Sequence, residues 1–180
     1  MLRIVVPGAE MWDEIKEEFN VSKPYSLQLE HSLVSVSKWE SKWCVPFLHT
    51  PDKSKEQILD YIKCMTITQN VPDEVYERLS EDNIEEIQTY IDSPMTAATF
   101  SQSDSKSGSG ELVTTETIYY SMFVNSIPME CQKWHLNRLL TLIKFCNVKN
   151  SPPKKMSRAE ILRRNEKLNA ERRAKFNSTG

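Results

Sequence analysis

The chain has 180 residues and a mass of 20.9 kDa, enough to bury a core without disulfide staples. A hydrophobic share of 39%, a charged share of 27% and a mean hydropathy of −0.52 belong to a globular chain, and the lack of a long apolar run excludes a transmembrane helix. The net charge of −2 hides a split: residues 149–180 hold ten Lys and Arg against three Glu, a net +7, so the first 148 residues carry −9. Such an asymmetry concerns partners more than fold.

In chain order, Leu2, Ile4 and Val6 alternate with Arg3 and Val5 until Pro7-Gly8, a strand pattern. The apolar start is too short for a secretory signal, which predicts a cytoplasmic protein. Past a charged stretch, Phe19, Val21, Tyr25, Leu27 and Leu29 alternate again, with Pro24 marking an edge or a break. The first 29 residues therefore read as a β-hairpin, which needs helices to lie against. From Leu29 the period lengthens: Leu29, Leu33, Val36 and Trp43 predict a helix with Trp39 at its edge, ended at Pro46. A strand continuing through Leu33 competes, because Ser32, Ser35 and Ser37 are poor helix formers.

A second helix over Lys55–Thr68 carries Ile58, Leu59, Ile62 and Met65 on one face. Pro72 suits a first helical position, and Asp73 and Glu74 favour the positive end of the dipole of a short helix holding Val75, Tyr76 and Leu79. Ser80 caps the next helix, with Ile84, Ile87 and Ile91 inward, and Ser93-Pro94 stops it. Residues 101–110 have no apolar side chain and read as a flexible loop within one domain. A helix pair over about 114–147 follows. Thr115 caps its first member, striped by Ile118, Tyr119, Met122 and Phe123. The second, over 128–147, is apolar over a wide arc through Cys131, Trp134, His135, Leu136, Leu139, Leu140, Leu142, Ile143 and Cys146. The expected fold is thus mainly α with a small N-terminal hairpin, an α+β chain whose helical core is built around 128–147. One domain spans 1–148. The basic tail of 149–180 adds a stiff Pro152-Pro153 spacer and a helix over 158–176 that Ser157 and Glu160 cap.

The chemistry-bearing residues form no catalytic pattern. Cys44, Cys64, Cys131 and Cys146 contain no Cys-x-x-Cys pair. Cys131 and His135, four apart, would share a helix face and could begin a zinc site, yet Trp134, Leu139 and Leu142 assign that face to the core. His31 and His49 lie near Cys44 in sequence only. No serine stands in a nucleophile-elbow context, and no glycine-rich loop precedes Lys-Ser/Thr. The clusters Asp13-Glu14, Glu17-Glu18 and Glu85-Glu86 read as solvated faces. No enzyme activity, metal or cofactor is expected.

Partner-binding residues are the remaining candidates: Trp12, an aromatic in a charged segment, and the tail's Lys154, Lys155, Arg158, Arg163, Arg164, Arg172 and Arg173. Three acids interrupt the tail's basic face and Phe176 is its only aromatic. It is therefore neither a recognition helix nor a stacking platform, and nucleic acid is the weaker partner.

Leu29-Glu-His-Ser-Leu-Val-Ser-Val-Ser-Lys-Trp-Glu-Ser-Lys-Trp43, Tyr61-Ile-Lys-Cys-Met-Thr66 and Ile127-Pro-Met-Glu-Cys-Gln-Lys-Trp-His-Leu-Asn-Arg-Leu-Leu140 carry a resemblance. With Pro152-Pro-Lys-Lys-Met-Ser157, Arg163-Arg-Asn165 and Leu168-Asn-Ala170, they are similar to small proteins encoded among the structural genes of tailed bacteriophages. The class this resemblance implies is the tail assembly chaperone. In that class a mainly helical domain keeps the tape measure protein soluble in the host cytoplasm while tail tube subunits polymerise around it. A longer form often arises by ribosomal frameshifting, and the protein is absent from the mature virion. The class has no catalytic motif, so no residue roles carry over. The expected partner is the tape measure or tail tube protein, without a membrane. The alternatives are a neck or head–tail joining component of the virion, and a nucleic-acid-associated protein acting through the basic tail.

Overall fold

The computed structural model describes residues 1–13, 18–98, 112–150 and 158–176, with the backbone alone at 11–13, 18–21 and 160. The expected loop over 101–110, the Ser157 cap and the Pro152-Pro153 spacer lie outside the described residues. The fold class is the expected one: an N-terminal antiparallel hairpin followed by seven α-helices among the described residues. The chain divides into two compact units, Met1–Asn147 and Val148–Gly180.

The hairpin is longer than the alternation predicts. Strand β1 (Leu2–Val6) pairs with β4 (Tyr25–Leu29), and β2 (Glu10–Asp13) pairs with β3 (Glu18–Val21). Sequence reading left Glu10–Asp13 as a charged stretch, because Glu and Asp are weak local strand formers. The register shows why it is a strand: Leu2 faces Leu29, Val6 faces Tyr25, and Glu10 faces Val21 in unbroken continuation. At the interruption, Ser22 donates its backbone N–H to the Ala9 carbonyl at 2.9 Å, and its hydroxyl accepts from the Ala9 N–H at 2.9 Å. The Arg78 guanidinium also donates to that hydroxyl, at 2.5 Å. Gly8 is required here, since a Cβ on it would lie 2.2 Å from the Ser22 carbonyl oxygen.

Ile4, Val6, Leu27 and Leu29 fill the inner face of the β1–β4 ladder and are buried. Both outer edges of this ladder are occupied. The Asn83 amide donates to the Val5 carbonyl on β1. Along β4, Glu30 N–H donates to Met65 O at 2.9 Å and Ile67 N–H to Gln28 O at 2.8 Å.

Helix α1 (Leu33–Trp43) starts four residues later than the period predicts, leaving Leu29 in β4. The serines that argued against a helix build its cap: Ser32 Oγ accepts from Ser35 N–H, and Ser35 Oγ accepts from Ser32 N–H. Trp39 is the fully buried centre of this helix rather than its edge. Cys44, with φ 55°, closes it in the left-handed region before Pro46.

Helix α2 (Lys55–Met65) stops before Thr68 because the residues after it pair with β4. Its buried side chains are Tyr61, Ile62 and Met65, whereas Ile58 is exposed. Pro72 caps α3 (Asp73–Glu77) from outside, and Ser80 caps α4 (Glu81–Asp92) as expected. Thr114, not Thr115, caps α5 (Thr115–Val124). Thr115 is instead buried and held by Glu40: one carboxylate oxygen accepts from Thr115 N–H at 2.9 Å and from its hydroxyl at 2.7 Å, and the other accepts from Phe47 N–H at 2.8 Å.

The expected continuous helix over 128–147 is broken. Met129–Lys133 form a 3-10 turn, Trp134 is extended, His135 bridges to Ser32, and α6 runs over Leu136–Asn150. The Leu136 N–H donates to His31 O at 2.8 Å instead of to a preceding turn, so tertiary pairing interrupts a pattern that is locally helical. The core that α6 joins, through Leu136, Leu139 and Ile143, is shared with α1, α2 and the hairpin. In the second unit α7 spans Arg158–Phe176 and is the longest helix described, with 19 residues.

Candidate functional site

Six rings run in sequence through the first unit. Trp39 of α1 meets Phe47 edge-on at 5.1 Å, Phe47 meets Tyr61 of α2 at 4.2 Å, and Tyr61 meets His31 at 5.9 Å. His31 meets His135 at 5.1 Å, and His135 meets Tyr90 of α4 at 4.9 Å. They come from five separate chain segments, and offset and edge-on contacts of this kind add to area burial.

Within this row the protonation states follow from the hydrogen bonds. The phenol of Tyr61 lies 2.5 Å from His31 Nδ1, and burial pushes its pKa far above the usual range, so it stays protonated. His31 is held neutral, its pKa pushed down to about 4 by burial first and by neighbouring His135 second, with Asp92 opposing. His135 Nε2 lies 3.0 Å from the Tyr90 carbonyl, which can only accept. The proton is therefore on Nε2, and the bare Nδ1 is a buried acceptor without a partner among the described residues. Burial lowers the His135 pKa too, although the Tyr90 carbonyl opposes this. At the far end the Tyr90 hydroxyl donates to Glu30 Oε1 at 2.6 Å. Both imidazoles are buried, and the row ties together the β4–α1 link, α1, the Phe47 turn, α2, α4 and the residue before α6, with Phe47 and Tyr61 also lining a groove described below.

Cys131 and His135 are not on one helix face: the first lies in the 3-10 turn and the second in the extended step before α6, and both are buried. Among the described residues no three His, Cys, Asp or Glu side chains are grouped as a metal site would need. Nor is any helix among them long and apolar enough to cross a membrane.

The surface offers two apolar features. Helix α5 buries Thr115, Ile118 and Met122, but Tyr120, Phe123 and Val124 on its other side are 70%, 67% and 61% exposed. Phe123, expected in the inward stripe, is on the outside. Sequence reading missed Tyr120 and Val124; the signal was a helix apolar on every side, a pattern normally covered all round. The second feature is a groove of about 580 Å³ between α2 and α4, lined by Ile58, Tyr61, Ile62, Ile84, Ile87 and Ile91. Lys53 stands at its mouth, donating to Phe47 O and Thr50 O at 2.9 and 2.6 Å with its ammonium 4.2 Å from the Phe47 ring.

Of the sequence-predicted partner residues, only those on α7 have described side chains. The Trp12 backbone lies in β2 opposite Phe19, and its side chain is outside the description. Lys154 and Lys155 also lie outside the described residues. Arg158, Arg163, Arg164, Arg172 and Arg173 are exposed along α7. Comparison with protein-family models, with curated proteins and with solved structures found no match for this chain.

Proposed function

We propose that this chain is a non-catalytic morphogenesis factor of a tailed bacteriophage: a tail assembly chaperone that holds the tape measure protein in the host cytoplasm until the tail tube encloses it. The family resemblance supplies the class. The observation that carries the reading is the outer face of α5, where Tyr120, Phe123 and Val124 present two aromatic rings and a branched side chain at i, i+3 and i+4 spacing. A holdase for a long helical client needs such a stripe, because an amphipathic helix recognises an apolar face through the same spacing. Exposed aromatics are also the residue type that dominates binding energy at interfaces.

The test is coexpression with the tape measure protein from the same gene cluster. The wild-type chain is expected to keep that protein soluble and to copurify with it. The variant Tyr120→Glu/Phe123→Glu should lose the client while unfolding at an unchanged temperature, since both side chains are already exposed. Soluble tape measure protein that is indifferent to the chain would overturn the reading. Mass spectrometry of purified particles separates the alternative: a chaperone is missing from them, whereas a head–tail joining component is present at a fixed copy number.

A further inference from the structure

We infer that the groove between α2 and α4 is the seat for helix α7 of a second copy of this chain, so that copies associate head to tail. On the groove side, Ile58 is 41% exposed, Ile84 and Ile91 are half-buried, and the floor of Tyr61, Ile62 and Ile87 is closed. Helix α4, one wall of the groove, carries Glu81, Asp82, Glu85, Glu86 and Asp92, all exposed, and no Lys or Arg. A mainly apolar cleft beside an acidic helix fits a basic helix that carries exposed apolar side chains.

Helix α7 has that chemistry. It carries seven Lys and Arg against three Glu. At 100° per residue Ile161, Leu162, Leu168 and Phe176 fall within an arc of about 120°, which they share with Arg158, Asn165, Asn169 and Arg172. All four are exposed, and so is every other α7 side chain that is described. A helix with no buried side chain among those described is marginal in water, so this length of helix gains from a docking surface. Charge selects a copy of the same chain as its occupant: residues 1–148 carry −9 and the tail carries +7. The contact is heterologous, one surface of the first copy against a different surface of the second, and it therefore builds closed rings or open chains. It uses residues other than those of the α5 outer face, so association and client binding are lost by different variants.

Sedimentation of the full chain tests this. At low salt the weight-average mass should rise with concentration above the 20.9 kDa of one chain. High salt should weaken association about tenfold, as opposed charges in contact require. The tail variant Ile161→Glu/Leu168→Glu and the groove variant Ile58→Lys should each be monomeric. Mixed in equal amounts, they should form a one-to-one heterodimer, because one retains an intact groove and the other an intact tail. Should Ile58→Lys unfold, Glu85→Lys/Glu86→Lys on the exposed side of α4 serves instead, with partial recovery when mixed with Arg163→Glu/Arg164→Glu. A wild-type monomer at every concentration overturns the inference, as does failure of the two variants to pair. A monomer that binds duplex DNA in a salt-sensitive way, lost in Arg172→Glu/Arg173→Glu, overturns it in favour of a nucleic-acid partner.

Discussion

Helices α6 and α7 follow one another in the chain and are held by opposite means. Helix α6 places Leu136, Leu139 and Ile143 in the core, and its first N–H is bound by the His31 carbonyl. Helix α7 is longer, yet its described side chains are all exposed. The contrast teaches that length and local propensity set where a helix can form, while burial sets how much of the fold depends on it. One is therefore a structural member of the first unit, and the other has no buried side chain among those described.

The largest effect that would break this contrast is at Leu139. It is fully buried, and Leu139→Ala removes most of a packed side chain and leaves a cavity, expected to cost about 2–5 kcal/mol in urea unfolding. Equal losses from Leu139→Ala and a matched substitution in α7 would erase the distinction.

A second, comparable effect comes from pH. The folded chain holds the His31 pKa at about 4 against an ordinary value of 6.5. Above pH 6.5 neither state is protonated there, and the stability associated with the neutral form is complete. As pH falls towards 4 the unfolded chain takes up a proton that the native chain refuses, so stability drops by about 3 kcal/mol, with His135 adding in the same direction. Urea midpoints between pH 7.5 and pH 4 measure it. The double variant His31→Phe/Tyr61→Phe, which removes both members of the hydrogen bond, should flatten that acid limb.

The smallest expected effect sharpens the contrast from the other side. Leu168→Ala on the exposed face of α7 should change the stability of the first unit by less than about 0.5 kcal/mol in the same assay.

The same division explains what was legible in the sequence. The α7 bounds and the inward Ile87 of α4 follow from local signals: breakers, caps and a 3.6-residue period. The break at Trp134–His135 does not, because Ser32 and His31, a hundred residues away, take the pairing that a helix would have used. Thr66–Thr68 leave α2 for the same reason, drawn to the edge of β4. Of the candidate sites, α5 was half legible. Its apolar residues stand out in the sequence, but which of them face water depends on where Glu40 anchors Thr115, and that is a tertiary fact. The row of rings was marked only as apolar or histidine positions, since no local pattern brings five segments together.

The shared register of the two ladders in the hairpin bears on how the chain can change length. Because Ala9 and Ser22 keep the same pairing as the strands on either side, adding one residue to the Pro7–Ala9 step would move Glu10–Asp13 onto the opposite side of the ribbon. Variants of this protein that differ in size near Pro7 should therefore carry a compensating difference near Pro24, so that insertions and deletions arrive in matched couples across the two arms.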